Sequence, residues 1–425
     1  MARIPGAERP DEIVVLGNHH DAWTYGGVDP NSGTTALLEV ARGLGTLLRQ
    51  GWRPRRSLWL CAWDAEEQGL LGSTEWAEKH AAELQQKAVA YLNLDSSVAG
   101  DRFDASAVPS LRQFLREVAD AVPDPRGGTV LEQATRRMRE ELRRGVVPGR
   151  VPDGVESAPI ADRELKIDNL GSGSDYTAFL DHLGIPSTDF GFGGDYGVYH
   201  SIFDNHRWMK NFGDPGFRYH TAAARYYGLQ ALRLAEADLL PFDYEAYGSE
   251  IQKYLDGISK KVSLLGQQKE LDFAPPRAAA ARLASAGKEV REKYQWAVAA
   301  GLLVLSERSA DPEPVPRLSL GTVSESRTVE GSEVEGRPQN LDQVNRALVE
   351  VEQAFLLPEG LPGRPWFKHA VFAPGTYTGY AAVPLPGVHE SIDAGDFAEA
   401  RRQLDLLTAA INRAATKLES CSAPR

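Results

Sequence analysis

One stretch, residues 17–33 (GNHHDAWTYGGVDPNSG), constrains the fold of this chain more than any other. It follows DEIVVLG (residues 11–17), a short apolar run typical of a buried β-strand, and a helical pattern comes after it. His19, Asp21 and Asp29 therefore lie at the carboxyl end of a strand and in the next loop. Because ligands bind at that edge in open α/β sheets, the stretch predicts a functional site as well as a strand–helix unit.

Strand-type and helix-type patterns continue to alternate after this stretch. Further strands are predicted within residues 57–63, 88–95 and 185–194, and helices within 33–50, 66–87, 109–122 and 214–237. This alternation predicts an α/β fold with a mostly parallel sheet and helices on both faces. Residues 123–166 interrupt it with Pro, Gly and a basic run, and we interpret them as a partly helical, solvated surface excursion.

The pattern changes at Pro241, which is expected to end the preceding helix. Long amphipathic helices are predicted beyond it, within residues 244–265, 276–305, 341–356 and 396–420. We therefore predict two domains, an α/β domain over 1–238 and a mainly helical one over 239–425. The polar, Pro-rich and Glu-rich residues 307–338 predict a disordered loop within the second.

Charge and cysteine content exclude several classes of protein. The formal net charge of the 425 residues is −12 with the acidic residues scattered, which argues against a nucleic-acid partner. No apolar run approaches the length of a membrane span. The cysteines, Cys61 and Cys421, are too few for a disulfide framework, and Cys61 lies in an apolar strand as a small hydrophobic residue.

Acidic residues and histidines recur at the ends of the predicted strands. Glu66 and Glu67 follow the second strand, Asp95 follows the third, and His200 lies in a later Gly-rich loop. Such a set would repel itself unless a cation neutralised it. Mixed imidazole and carboxylate ligands suit zinc, and their number exceeds what one tetrahedral ion needs. A pair of zinc ions ~3.5–4 Å apart that share one carboxylate would use them all.

These motifs resemble peptidase family M28, in the branch of glutamate carboxypeptidase II and the transferrin receptors. In chain order they are HHDAW, GGVDPNSG, WRPRR, WDAEEQGLLGSTEWAE, YLNLDSS, LGSGSDYTAF, YHS, LPGRPWFKHAVFAP and GYAAVPLPG. The resemblance covers nearly the whole chain. It implies that residues 1–238 are the second part of a zinc-peptidase domain, without the family's first strands and inserted apical domain. It also implies that residues 239–425 form a dimerisation domain, so a homodimer is expected.

The resemblance implies a role for each candidate ligand. Asp29 would bridge both zinc ions, His19 and Asp95 would complete one metal site, and Glu67 and His200 the other.

Further roles carry over to catalytic and substrate-binding positions. Glu66 would be the general base on the zinc-bridging water, Asp21 would orient His19, and Tyr199 would donate a hydrogen bond to the developing oxyanion. The expected substrate contacts are Ser172, Gly173 and Tyr380.

Some positions depart from the pattern of the glutamate-preferring members. Gly379 stands where they have a lysine before the tyrosine, and Asp189, Gly191 and Ala105 stand where they have an arginine patch. A strict preference for acidic C-terminal residues is therefore not expected. Glu75 and Glu78 match positions that bind calcium in the family. Because the other calcium ligands belong to the absent domain, we interpret these two residues as part of a charged helix face. We interpret Trp23 and Tyr25 as core residues rather than as part of a substrate wall.

The function that these observations predict is that of a di-zinc exopeptidase acting on peptides or dipeptides, carboxypeptidase-like. An M28 aminopeptidase is the alternative within enzymes, and a non-catalytic receptor-like homologue is the alternative outside them. Because a receptor-like chain should have lost metal ligands and this one keeps all five together with Glu66, the sequence favours an enzyme. The family suggests an extracytoplasmic location, although no signal peptide or anchor precedes the first strand.

Overall fold

The structure is a computed structural model that describes residues 1–144, 165–307, 341–377 and 379–422. Residues 145–164 of the predicted surface excursion and residues 308–338 of the predicted disordered loop lie outside this described part. The described part of the excursion contains a helix, Val130–Arg143, whose first turn is closed by a capping box between Thr129 and Glu132.

A sheet of six strands, counted over the described residues, forms the centre of the first part. They are β1 (Ala2–Ile4), β2 (Arg9–His19), β3 (Arg56–Trp63), β4 (Ala88–Asn93), β5 (Arg102–Ala107) and β6 (Ser187–Gly193). Their spatial order is β1-β3-β2-β4-β6-β5, with the four inner strands parallel and the two edge strands antiparallel to their neighbours. The prediction of a mostly parallel sheet is thus confirmed, but β1 and β5 were not predicted.

The helices of the first part connect these strands. They are α1 (Asn31–Arg49), α2 (Leu71–Lys79), α3 (Ala81–Lys87), α4 (Arg112–Ala121), α5 (Val130–Arg143), α6 (His206–Trp208) and α7 (Arg218–Glu236), with π-helical turns at Ala178–His182 and Met209–Gly213 and a 3₁₀ turn at Pro109–Leu111. The prediction of a single helix over residues 66–87 was wrong, because the structure has two helices there, α2 and α3, and α2 begins five residues later than predicted. Gly69 and Leu70 have positive φ, so the chain turns there and α2 begins at Leu71, leaving Glu66 and Glu67 in the turn.

Both faces of the sheet are covered, as predicted. On one face α1 packs against α7, and Phe190 of β6 contacts Tyr226 of α7 with 4.5 Å between ring centroids. On the other face Tyr91 of β4 stacks on Phe179 of the first π-helical turn at 3.9 Å. The inner strands are consequently buried on both sides, which is why Ile13–Leu16 read as one apolar run.

The second part is mainly helical. Its elements are α8 (Tyr244–Leu264), α9 (Ala274–Glu307), α10 (Leu341–Gln353), β7 (Phe372–Pro374), β8 (Ala382–Pro384), α11 (Pro386–Asp393) and α12 (Phe397–Ser422). α9 packs between α8 and α12, and α10 and α11 also pack on α12. Within the described residues no helix is both long and apolar enough to cross a membrane.

The two parts share one continuous apolar core. The side chain of Asn345 in α10 accepts the backbone N–H of Leu240 at 2.8 Å and donates to the carbonyl of Asp238 at 2.8 Å. The segment after α10 also contacts the first part, because the N–H groups of Lys368 and His369 donate to the carbonyl of Asp181. The division after residue 238 falls between α7 and α8 and stays a prediction.

Candidate metal centre

The sheet topology brings the predicted ligands together at one edge. His19 is the last residue of β2, Asp95 lies two residues after β4, and Glu67 lies in the turn after β3. His200 is in the loop after β6, and Asp29 lies just before α1. Because parallel strands end at the same edge, residues far apart in sequence become neighbours there.

His19 lies among three carboxylates. Its Nε2 atom is 2.9 Å from Asp95 Oδ1, 3.3 Å from Asp29 Oδ1 and 4.0 Å from Glu66 Oε2. The side chain is 1% exposed, so water screens these charges poorly. The ligand atoms of His19, Glu66 and Asp95 all lie within 4.8 Å of one another, which is close enough to hold one ion.

His200 forms a second cluster with Asp29 and Glu67. Its Nε2 atom lies 3.1 Å from Asp29 Oδ2 and 3.1 Å from Glu67 Oε2. Asp29 thus directs one carboxylate oxygen to His19 and the other to His200. Glu67 Oε1 is buried and has no hydrogen-bond partner among the described residues, so it remains available as a ligand.

Asp21 contacts residues of both clusters through its backbone carbonyl and its carboxylate. Its backbone carbonyl lies 3.1 Å from Nδ1 of His19 and can only accept, so Nδ1 carries the proton and Nε2 faces the carboxylates. Its carboxylate accepts the backbone N–H groups of Glu66 at 3.0 Å and Glu67 at 3.2 Å. The Asp21 carboxylate also lies 3.5 Å from Nδ1 of His19, so both the carbonyl and the side chain face the ring, and the side chain also holds the turn that carries the two glutamates.

Asp204 supports Asp29 in a comparable way. It accepts the N–H groups of Val28 at 2.7 Å and Asp29 at 3.2 Å, and the hydroxyl of Tyr196 donates to it at 2.7 Å. Asp204 is 2% exposed. Asp204 was not predicted from the sequence, because a single Asp in a loop carries no pattern that distinguishes a buried support from a turn residue.

Asp95 is held by a chain of hydrogen bonds that was not predicted from the sequence either. Ser174 donates to Asp95 Oδ2 at 2.6 Å, and the backbone N–H of Ser96 donates to Oδ1 at 2.7 Å. Asn93 donates to Ser174 at 2.9 Å and to Asp189 at 3.0 Å. Asn93 is a polar residue at the end of an otherwise apolar strand, which is the signal that could have identified it.

The pKa values of His19, Glu66 and Glu67 are all raised in this concentration of carboxylates. Burial alone lowers the pKa of His19, but the hydrogen bonds to Asp29 and Asp95 outweigh it and raise that pKa to about 12. Burial, followed by the charge of Asp95, raises the pKa of Glu66 to about 9. Burial and the neighbouring Asp29 likewise raise the pKa of Glu67. The neighbouring carboxylates contribute to all three shifts, and a bound cation would offset that contribution.

Tyr199 and Glu66 lie at the mouth of the centre. The ring of Tyr199 stacks on His200 with 3.6 Å between centroids and is 57% exposed. Ala65 and His200 both have a φ in the left-handed region, 57° and 55°. Strained backbone of this kind concentrates at functional sites, where it aims particular side chains.

A cleft of about 380 Å³ adjoins the metal centre. It is lined by Asp29, Glu66 and Asp95 on one side and by Gly173 and Tyr199 among others. Of the predicted substrate contacts, Gly173 lines the cleft, and Ser172 and Tyr380 lie next to Gly173.

Tyr380 makes two contacts with the loop that carries the other predicted substrate residues. Its ring lies where a Cβ on Gly173 would be, and the N–H of Ser172 donates to its carbonyl at 2.9 Å. Gly173 has φ +112°, a conformation that suits glycine alone.

Two subsidiary expectations have different outcomes. The interpretation of Trp23 and Tyr25 as core residues was wrong, since they are 53% and 69% exposed and Trp23 packs edge-on against His200. Glu78 accepts the indole N–H of Trp366 at 2.6 Å, and this contact is structural.

The donor set fits zinc. Two imidazole nitrogens and several carboxylate oxygens converge, which is the ligand chemistry that zinc favours in catalytic sites. Asp29 has an oxygen available to each of two clusters, so its carboxylate suits a bridge. The free Oε1 of Glu67 adds a donor that no protein group satisfies among the described residues.

Comparisons with known proteins agree with this geometry. Peptidase family M28 matches residues 1–143, and the transferrin receptor-like dimerisation domain matches residues 271–419. The chain is 36% identical to probable glutamate carboxypeptidase LAMP1 of Arabidopsis thaliana over 390 residues, 92% of this chain and 48% of that protein. It is 32% identical to aminopeptidase NAALADL1 of Mus musculus over 430 residues, 98% of this chain and 51% of that protein. The chain thus spans about half the length of these relatives.

A zinc aminopeptidase from Bacillus subtilis is also similar, at 18% identity over 53% of this chain and 47% of that one, with a TM-score of 0.36 that supports no conclusion. The two matched domains and the extent of the similarity to the longer relatives identify the lineage. The chain belongs to peptidase family M28, in the branch that joins an M28 peptidase part to a transferrin receptor-like dimerisation domain.

Proposed function

We propose that this protein is a di-zinc exopeptidase, carboxypeptidase-like, that hydrolyses peptides or dipeptides. The observation that carries the proposal is the position of Asp29, whose two oxygens lie 3.3 Å from His19 and 3.1 Å from His200. A carboxylate between two histidine-containing clusters is the arrangement that a bridged metal pair needs.

Five residues would hold the metal ions. Asp29 would bridge, His19 and Asp95 would bind one ion, and Glu67 and His200 the other. When bound, zinc supplies a Lewis acid for the scissile carbonyl and lowers the pKa of water toward ~7.

Glu66 would act as the general base. Its carboxylate takes the proton of the attacking water and returns it to the nitrogen of the leaving amine. Its place in the turn held by Asp21 keeps it at the cleft while Glu67, next in sequence, points to His200.

Tyr199 would donate its hydroxyl to the oxyanion that forms at the scissile carbonyl. Burial, followed by the charge of Asp29, raises the pKa of Tyr199, so the phenol keeps the proton that it must donate. Ser172, Gly173 and Tyr380 would contact the substrate, since Gly173 lines the cleft and Tyr380 contacts both Gly173 and Ser172.

Two alternatives are distinguished by observations on the molecule. The relatives bear both carboxypeptidase and aminopeptidase names, so trimming from the amino end is the second candidate. A receptor-like role is disfavoured because every predicted ligand and Glu66 converge on one edge.

Digestion of a peptide library with zinc present, read by mass spectrometry, tests the proposal. Loss of C-terminal residues supports a carboxypeptidase and loss of N-terminal residues an aminopeptidase. The Glu66→Gln protein, prepared identically, controls for contaminating peptidases. Absence of cleavage together with absence of bound zinc would refute the proposal.

We further propose a homodimer formed through the helical part, since residues 271–419 match a dimerisation domain. Light scattering should then give about twice the chain mass of 46.5 kDa. A mass near that of one chain would contradict this. An extracytoplasmic location is part of the proposal and follows from the family resemblance.

A further inference from the structure

The cleft beside the metal centre has a floor formed by two paired strands. In the antiparallel pair β5–β6, Ser106 lies opposite Asp189 and Asp104 lies opposite Gly191. The alternate residues Phe103 and Phe190 pack in the core. Because side chains alternate between faces, Asp104, Ser106 and Asp189 project to the cleft side, and all three line it.

Strand alternation places Asp104, and not Ala105, on the cleft face of this wall. Ala105 is 6% exposed and belongs to the core cluster, whereas the adjacent Asp104 is exposed on the cleft face. Two acidic side chains, rather than one acid and an alanine, therefore stand on this wall.

Glycines leave room above the two carboxylates. A Cβ on Gly191 would lie 3.5 Å from the nearest backbone oxygens, in ordinary contact, so only a small side chain would leave the cleft open. A Cβ on Gly193 would lie 3.3 Å from Asp104 Oδ2, so the carboxylate of Asp104 lies close to Gly193 on the cleft side of the two strands. A substrate group can therefore reach both acids.

The two acids have no cation of their own in the cleft. Among the described residues that line it there is no Lys or Arg. The nearby Arg102 and Arg137 are paired elsewhere, Arg102 with Asp195 at 3.3 Å and Arg137 with Asp101 at 2.9 Å.

The metal centre does not supply the missing counter-charge. Two divalent ions would balance the carboxylates of Asp29, Glu66, Glu67 and Asp95 and leave those of Asp104 and Asp189 uncompensated. Burial raises the pKa of Asp189 to about 7, and burial also raises that of Asp104, although the charge of Arg102 lowers it in part.

We propose that Asp104 and Asp189 determine specificity, and that the substrates are peptides with an ammonium or guanidinium group beside the scissile bond. The cation would lie between the two carboxylates and donate charge-assisted hydrogen bonds to both of them. The inference rests on the proposed function, since it names the substrate class of the same cleft. The cation can come from a lysine or arginine side chain or from a free N-terminal amine.

Binding, rather than turnover, gives the cleanest test. Zinc-loaded Glu66→Gln protein is titrated calorimetrically with four peptides: lysyl-alanine, acetyl-lysyl-alanine, norleucyl-alanine and acetyl-norleucyl-alanine. The second keeps only the side-chain cation and the third keeps only the terminal amine. At least one peptide that carries a cation should bind about tenfold or more tightly than the fourth, which carries none, as a charge-assisted hydrogen bond predicts.

Amide substitutions then locate the preference. Asp104→Asn and Asp189→Asn, each added to the same protein, should remove most of the preference while zinc content stays unchanged. Asp11→Asn, at the opposite edge of the sheet and 82% exposed, is the matched control and should keep it. Unchanged zinc in Asp189→Asn shows that its link through Asn93 and Ser174 to Asp95 is intact.

The outcomes separate this inference from the proposed function. Equal binding of all four peptides, tighter binding of acetyl-glutamyl-alanine, or a preference that survives both amide substitutions would overturn the inference. If wild-type protein cleaves peptides under such a result, the proposed function stands alone. If cationic peptides bind preferentially but wild-type protein cleaves none, the proposed function fails and the specificity stands.

Discussion

At the scale of single residues, the metal centre depends on backbone groups as much as on ligands. Asp21 orients His19 through its carbonyl and the two glutamates through its carboxylate. The carboxylate of Asp204 likewise holds Asp29 by accepting its backbone N–H. These supports fix donors that would otherwise repel one another, so their loss should weaken metal binding without removing a ligand.

Replacement of the proposed base tests its role directly. Glu66→Gln should retain zinc yet lower kcat by about 10²–10⁴, because the amide cannot accept the proton of water. Zinc analysis and steady-state kinetics measure the two effects. Glu75→Gln, on the neighbouring helix, should leave both unchanged, and full activity in Glu66→Gln would show that another group is the base.

Asp204 offers a test of support without ligation. Asp204→Ala removes the acceptor for the N–H groups of Val28 and Asp29, and zinc affinity should fall by about 10–100-fold. Competition with a chelator measures this. Asp195→Ala, at a fully exposed side chain, is the control. Equal affinity in the two variants would mean that Asp29 holds its position unaided.

At the scale of elements, much of the fold could be predicted from periodicity. The inner strands were predictable because burial on both faces makes them continuously apolar, as in Ile13–Leu16. The edge strand Arg102–Ala107 was not, because half of its residues face a polar cleft and short alternation resembles a loop. The turn at Glu66 was mistaken for helix, since the positive φ of Leu70 depends on packing rather than on its own preference.

The candidate ligands could be proposed from the sequence because each lies at or beyond the end of a strand, whereas the residues that support them could not. Asn93, Ser174 and Asp204 act through contacts between residues distant in sequence, which no local pattern records. The orientation of Asp104 toward the cleft likewise depends on the register of β5 against β6.

An ion pair joins an element of the first part to one of the second. Arg112 of α4 lies 3.1 Å from Glu250 of α8, and both side chains are mostly buried. Burial would raise the pKa of Glu250, but Arg112 and then Lys253 outweigh it, so the pKa is lowered. A lowered folded-state pKa gives stability that is present above the unfolded pKa and lost as the pH falls through the folded one.

Glu250→Gln should therefore destabilise the protein by about 1–2 kcal/mol at neutral pH, with the difference shrinking below about pH 4.5. Urea unfolding at several pH values measures it. Glu292→Gln, in an exposed pair on α9, is the control and should have little effect. A difference that stays constant with pH would show that the charge of Glu250 is not responsible.

At the scale of the whole molecule, one apolar core runs from the sheet into the helical part, and the metal centre lies at the sheet edge. Metal binding should consequently stabilise the entire chain rather than a separable domain. Ligands that bind only the folded state raise the free energy of unfolding by mass action.

Removal of zinc with a chelator should lower the Tm by several degrees, and added zinc should restore it. Differential scanning calorimetry measures the change. Asp29→Asn, which loses the charge shared by both clusters, should show a smaller response to zinc. A Tm that does not change on chelation would contradict a metal centre formed by these residues.

The contact between Tyr380 and the loop at Ser172 has a consequence for the order of synthesis. The last proposed metal ligand, His200, leaves the ribosome about 180 residues before Tyr380 does. At 5–20 residues per second this interval is roughly 10–40 s. We expect the nascent chain to be able to gather its candidate metal ligands during that time, before Tyr380 can contact the loop at Ser172.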